Sequence, residues 1–152
     1  MFEAQTEWIS PESFPDLKDH KYIAIDLETR DPNLKSRGSG ALISDGEIVG
    51  IAVAVEGWSG YYSFGHKEGN FFDETVVMRW IKEVCALPNV KLFHNAMYDV
   101  CWLKAYGVQI NGHIVDTMVM ASLVNENRFH YSLNSLSIDY LGKVKDETAL
   151  RA

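Results

Sequence analysis

IAIDLET, residues 23–29, is an apolar, β-branched run that closes on two carboxylates, Asp26 and Glu28, with one leucine between them. The composition predicts a strand. Alternate side chains of a strand share a face, so Asp26 and Glu28 point the same way, roughly 6.5 Å apart along the backbone, and Leu27 points the other way. Like charges at about 4 Å repel by roughly 4 kcal/mol at an effective dielectric near 20, so a face with several carboxylates needs a cation or must keep a proton. A hard divalent metal is the simplest relief. Position adds weight, because charges closing an apolar strand of an α/β protein lie where such folds place their ligands. The pattern recurs as Asp45-Gly46-Glu47, where the aspartate and glycine serve turn geometry instead.

Outward from this strand, EIVGIAVAVE at 47–56 reads as a second strand and YYSFG at 61–65 as a short third, with residues 57–60 as the hairpin turn. The link between the first two, RDPNLKSRGSGALISDG, is too long and too rich in Gly and Pro for a tight hairpin and is expected to cross the surface as an exposed loop. After Asp73 the period becomes helical through Val76, Val77, Trp80, Ile81, Val84 and Cys85, closed by Pro88 and Asn89. VKLFH at 90–94 suits a buried strand, followed by a helix with Asn95 as its cap and Val100, Leu103 and Tyr106 on one face. GHIVDTMVMASLVN repeats strand and helix with the handover at Asp116. YSLNSLSIDYLG is a last helix lined by Leu133, Leu136, Tyr140 and Leu141, with Gly142 as its stop. The expected fold is therefore α/β, a mixed sheet whose antiparallel three-strand meander is followed by β-α alternation. Residues 1–20, polar and carrying Pro11 and Pro15, read as an irregular lead-in to one domain over residues 21–152.

A chain of 152 residues is the size of one domain with one core, and 47% hydrophobic with 23% charged residues is near the globular average. No apolar run approaches the roughly 20 residues of a membrane span, and the N-terminus lacks the basic and apolar regions of a signal peptide. Cys85 and Cys101 form no disulfide framework and read as small core residues, so a reducing cytoplasm is the expected compartment. A net charge of −7 argues against direct binding to phosphates. Bound divalent cations would remove that objection, because they meet phosphates in place of basic side chains.

The second informative stretch is FHNAMYDVCWL at 93–103, where a strand meets a helix and Asp99 falls in the first turns. The helix dipole favours a carboxylate there by roughly 0.3–1 kcal/mol, a purely structural reason for its presence. Yet Tyr98, His94 and Asn95 place a ring and several hydrogen-bonding groups beside it, which packing does not explain. Asp116 reads as a structural carboxylate at a strand-to-helix junction. His66, His113 and His130 lack zinc spacing, His20 lies in the lead-in, and Trp58 and Tyr61 read as hairpin packing.

Taken together, IAIDLET and FHNAMYD resemble the first and second exonuclease motifs of the DEDD group in the ribonuclease H-like superfamily. HIVDTMVMASLVNENRFHYSLNSLSIDYLG is similar to the segment after the second motif in the proofreading exonuclease domains of family A DNA polymerases, bacteriophage ones especially. The resemblance covers most of residues 20–142. It implies a ribonuclease H-like fold and 3′-to-5′ removal of nucleotides from a DNA 3′ end, in DNA replication, by two divalent ions, Mg²⁺ or Mn²⁺. Such a pair can lower the pKa of the attacking water and neutralise the leaving oxygen. By motif position Asp26 would bridge both ions, Glu28 would hold the one nearest the attacking water and Asp99 would serve the second. Asn95, Tyr98 and the Thr29 backbone would line the pocket for the terminal nucleotide. The implied partners are the DNA end and the remainder of a polymerase chain in a phage host's cytoplasm, with no membrane.

The family's third motif, Tyr-x-x-x-Asp, has no separate copy, since Tyr22 to Asp26 is already the first motif. The expectation is thus a fragment of a longer exonuclease or polymerase, weak or inactive alone, with Asp146 and Glu147 as poor substitutes for the fourth carboxylate. Two alternatives stay open: an exoribonuclease of the same superfamily, and a non-catalytic module that binds a DNA end or a partner.

Overall fold

In the computed structural model, which describes residues 10–143, the apolar positions of the opening motif alternate inward. Ile23, Ile25 and Leu27 are buried along β1 (Tyr22–Arg30), whereas Asp26 and Glu28 on the opposite face are half-buried. β2 (Glu47–Val55) and β3 (Trp58–Ser63) continue the antiparallel meander, and β4 (Val90–Phe93) and β5 (Ile114–Asp116) add parallel strands on the other side. The order is β3-β2-β1-β4-β5, so β1 is central. This mixed five-stranded sheet bears out the expected α/β architecture. Helices α2 (Glu74–Ala86) and α3 (Ala96–Ala105) supply the crossovers that parallel pairing requires.

The core consists of Ile23, Ile25, Ile51, Val53 and Tyr62 from the sheet with Val77, Trp80, Ile81 and Val84 of α2 and Trp102 and Leu103 of α3. Asp73 caps α2 by accepting the Val76 N–H at 3.2 Å. Cys85 is buried in this core and Cys101 is half-buried, both as free thiols. Lys91 is fully buried as well, its Nζ donating to the carbonyls of Leu87, Asn89 and Asn111 and tying together the loops around β4.

Several local expectations are corrected. The hairpin turn is Glu56-Gly57 rather than residues 57–60, because Val55 already pairs with Trp58 and β3 starts three residues early. Gly57 takes φ +81, which a glycine adopts without steric cost and which lets two residues reverse the chain. The loop of residues 31–46 is not merely exposed. It carries helix α1 (Leu34–Arg37) and a 3-10 turn (Gly40–Leu42), and Gly40 is buried. Residues 10–21 carry no strand or helix, but they are not peripheral to packing. Leu17 is buried, Phe14 stacks on Tyr62 with centroids 4.9 Å apart, and Trp80 Nε1 donates to the Pro15 carbonyl.

Residues 10–117 form one compact unit; the described residues 118–143 belong to a second. The second contains most of α4 (Thr117–Val124) and α5 (Leu133–Leu141), the latter capped by Ser132 and stopped at Gly142. Of the apolar stripe expected on α5, Leu136 alone is buried; Leu133, Tyr140 and Leu141 are exposed. Asp146 and Glu147 lie outside the described residues.

Candidate active site

The parallel ladder between β1 and β4 ends at the pair Ala24 and Leu92, so β1 runs on past its neighbour. Asp26 and Glu28 stand on this overhang, with Ala52 and Gly50 of β2 as their cross-strand partners. The ladder shifts between Glu28 and Thr29, and a bulge of this kind commonly re-aims side chains beside a site.

Asp99 comes from elsewhere in the chain. It lies on the inner face of α3 with Ala96, Trp102 and Leu103, 3% exposed. Its Oδ1 accepts the N–H of Leu27, the residue between Asp26 and Glu28, at 3.2 Å. The carboxylate thus takes a place on β1 that a longer β4 would have occupied. Burial pushes the Asp99 carboxyl up to about 7, the Asp26 charge adds to this, the Leu27 hydrogen bond opposes it, and Asp116 adds a smaller push. A hydrogen bond of this kind favours the ionised form, yet desolvation and like charge outweigh it here.

Around this group the second motif is built differently from a simple cap. Asn95 holds the N-cap position of α3 in a left-handed conformation, φ 69, and its side chain makes no capping bond. Asp116 at the end of β5 does that work: its oxygens accept the N–H groups of Asn95 at 3.1 Å and Ala96 at 2.8 Å. The reading of Asp116 as structural thus describes its contacts, and Asn95 is left exposed. Thr117 Oγ1, hydrogen-bonded to His94 Nδ1, donates to the Phe93 carbonyl and closes the junction.

Tyr98 faces inward. Its hydroxyl meets Thr29 Oγ1 at 2.7 Å and donates to Asp31 Oδ2 at 3.0 Å, while the Asp31 carboxylate also accepts the Gly40 N–H. The Thr29 side chain, and not its backbone alone, therefore belongs to the arrangement. Asp31, unmarked in the sequence except by following Glu28 closely, ties the loop of residues 31–46 to α3. The second Asp-x-Glu is structural, as read: Asp45 accepts from Asn33 at 2.8 Å and Glu47 pairs with Arg30.

Among the described residues no group of three or more His, Cys, Asp and Glu side chains converges in the manner of a ready metal cage. The donors nonetheless fit a hard divalent ion. Asp26, Glu28 and Asp99 offer oxygen only, the donor type such an ion takes.

A mixed five-stranded sheet whose central strand carries paired carboxylates, with a third from a crossover helix bonded to the backbone between them, defines a ribonuclease H-like α/β protein. The chain belongs to the 3′-5′ exonuclease family of A-type DNA polymerases, whose family model matches residues 4–152. A DNA-directed DNA polymerase of Pseudomonas phage M6 is 29% identical over 97% of this chain and 23% of its own length. The solved structure of Brucella melitensis NrnC bound to pGG superposes with TM-score 0.61 at 16% identity, over 87% of this chain and 59% of that one. Escherichia coli RNase D, an exoribonuclease, superposes with TM-score 0.60 at 16% identity, over 90% of this chain and 32% of its own. The chain spans less than a quarter of the curated polymerases it matches. No helix among the described residues is long and apolar enough to cross a membrane.

Proposed function

We propose that this domain hydrolyses the terminal phosphodiester of a DNA strand in the 3′-to-5′ direction with two divalent ions, Mg²⁺ or Mn²⁺, as the editing part of a phage DNA polymerase in the host cytoplasm. The observation that supports the reading is the Leu27 to Asp99 hydrogen bond, which ties a third carboxylate to the backbone between Asp26 and Glu28. Family membership and the phage polymerase relative support the DNA substrate and the polymerase context.

Asp26, Glu28 and Asp99 would hold the ions. When bound, such a pair supplies an acidified attacking water and charge neutralisation at the leaving oxygen. The chain's own residues do the rest. Leu27 N–H fixes the Asp99 carboxylate. Asn95, exposed beside it, and Thr29 border the place of the terminal nucleotide. Tyr98 has its hydroxyl engaged with Thr29 and Asp31, so it offers the base its ring, a surface that tolerates any sequence.

The test is a metal titration followed by thermal unfolding. Millimolar Mn²⁺ or Mg²⁺ is expected to raise the melting temperature by binding linkage, and Asp26→Ala to abolish the rise. With end-labelled single strands, shortening of DNA from the 3′ end in Mn²⁺, lost in Asp26→Ala, is the expected activity. No metal-dependent shift would favour a non-catalytic module, and preferential shortening of RNA would favour an exoribonuclease.

A further inference from the structure

The carboxylate face continues onto the outer strands. In the register of the sheet Asp26 lies opposite Ala52, which lies opposite Tyr61, and Glu28 lies opposite Gly50. Cross-strand partners share a face, so Tyr61 stands on the face of Asp26 and Glu28, two strands away. Its ring leans across Gly50, where a Cβ would stand 2.1 Å from the phenol oxygen. The missing side chain makes room for the hydroxyl over the residue paired directly with Glu28. Burial pushes the phenol pKa up, and the charges of Glu28 and then Asp26 reach it and add to that shift.

The direction of this hydroxyl is fixed from behind. It is hydrogen-bonded to His66 Nε2, and the two rings meet edge to face with centroids 6.0 Å apart. The backbone of His66 is held in turn by Asn70, whose Oδ1 accepts the His66 N–H at 2.8 Å and whose Nδ2 donates to the His66 carbonyl at 2.6 Å. Arg30, two residues after Glu28, donates to the neighbouring Gly65 carbonyl at 2.6 Å. Ring packing alone makes no demand on where the phenol oxygen points, whereas this frame sets it.

We propose that Tyr61, held by His66, is a positioning residue of the carboxylate site, its oxygen over Gly50 confining the Glu28 carboxylate and the water around it for divalent-ion binding. This rests on the reading that Asp26, Glu28 and Asp99 hold such ions.

The test is Mn²⁺ binding to the whole chain, followed by loss of the free-ion paramagnetic resonance signal. Tyr61→Phe and His66→Ala are each expected to weaken binding about tenfold, the lower range of losses when a partner that orients metal ligands is removed. His66→Gln, which keeps an acceptor for the phenol, is expected to recover most of it. Melting in chelator identifies variants that fold, and if Tyr61→Phe fails to fold the Ala and Gln variants of His66 carry the comparison. Wild-type binding with unchanged affinity in folded Tyr61→Phe overturns this inference alone, as does equal loss in His66→Ala and His66→Gln. Absence of Mn²⁺ binding by the wild-type chain overturns the metal reading of the site and this inference with it.

Discussion

Asp99 shows how one side chain reports the demands of its surroundings. Burial pushes its carboxyl from the ordinary 3.8 up to about 7, a shift in favour of the neutral form. The sign follows from linkage. The folded chain binds this proton more tightly than the unfolded chain, so the group lowers stability as pH rises from about 4 to about 7, and the cost is constant above that. Asparagine mimics the neutral form and keeps an oxygen for the Leu27 N–H. In chelator, Asp99→Asn is expected to be more stable than wild type at pH 8, with the advantage shrinking toward pH 4.5, as measured by urea unfolding. A difference that does not change with pH would refute this origin. Metal should reverse the order at pH 8, because the ion stabilises the wild-type carboxylate and has little hold on the amide.

Elements here end where other residues hold them. Helix α3 carries Asp99 and Tyr98, yet its first N–H groups are satisfied by Asp116 from β5 and not by its own Asn95. Asp116→Ala is expected to cost about 1–2 kcal/mol, the range for a lost cap, seen as a lower urea midpoint with an unchanged slope. Lys91 plays the matching part at the other end of β4, where its ammonium serves three carbonyls. Lys91→Met keeps the volume but leaves those carbonyls buried without donors, and should cost about 2–3 kcal/mol. Stability equal to wild type in that variant would mean that water or neighbouring N–H groups replace the ammonium.

For the molecule as a whole, the net charge of −7 leaves little direct attraction for a phosphate chain. Anisotropy with a labelled single strand is expected to show weak binding in chelator, and a larger gain from Mn²⁺ than from lowering the salt. Tight, salt-sensitive binding in chelator would contradict this. The amino-acid order was enough to determine the strand carrying Asp26 and Glu28, the meander, the β-α alternation and the family, because period-2 and helical patterns and the two acidic motifs are local. Tertiary structure alone decided that Asp99 reaches the Leu27 N–H, that Asp116 caps α3, that Asp31 fastens its loop through Tyr98, and that Gly50 admits the Tyr61 hydroxyl beside Glu28. Each of these joins residues on different elements. Hydrogen bonds and close approach across strands depend on where β4 stops and where β2 bulges, and no local pattern encodes either.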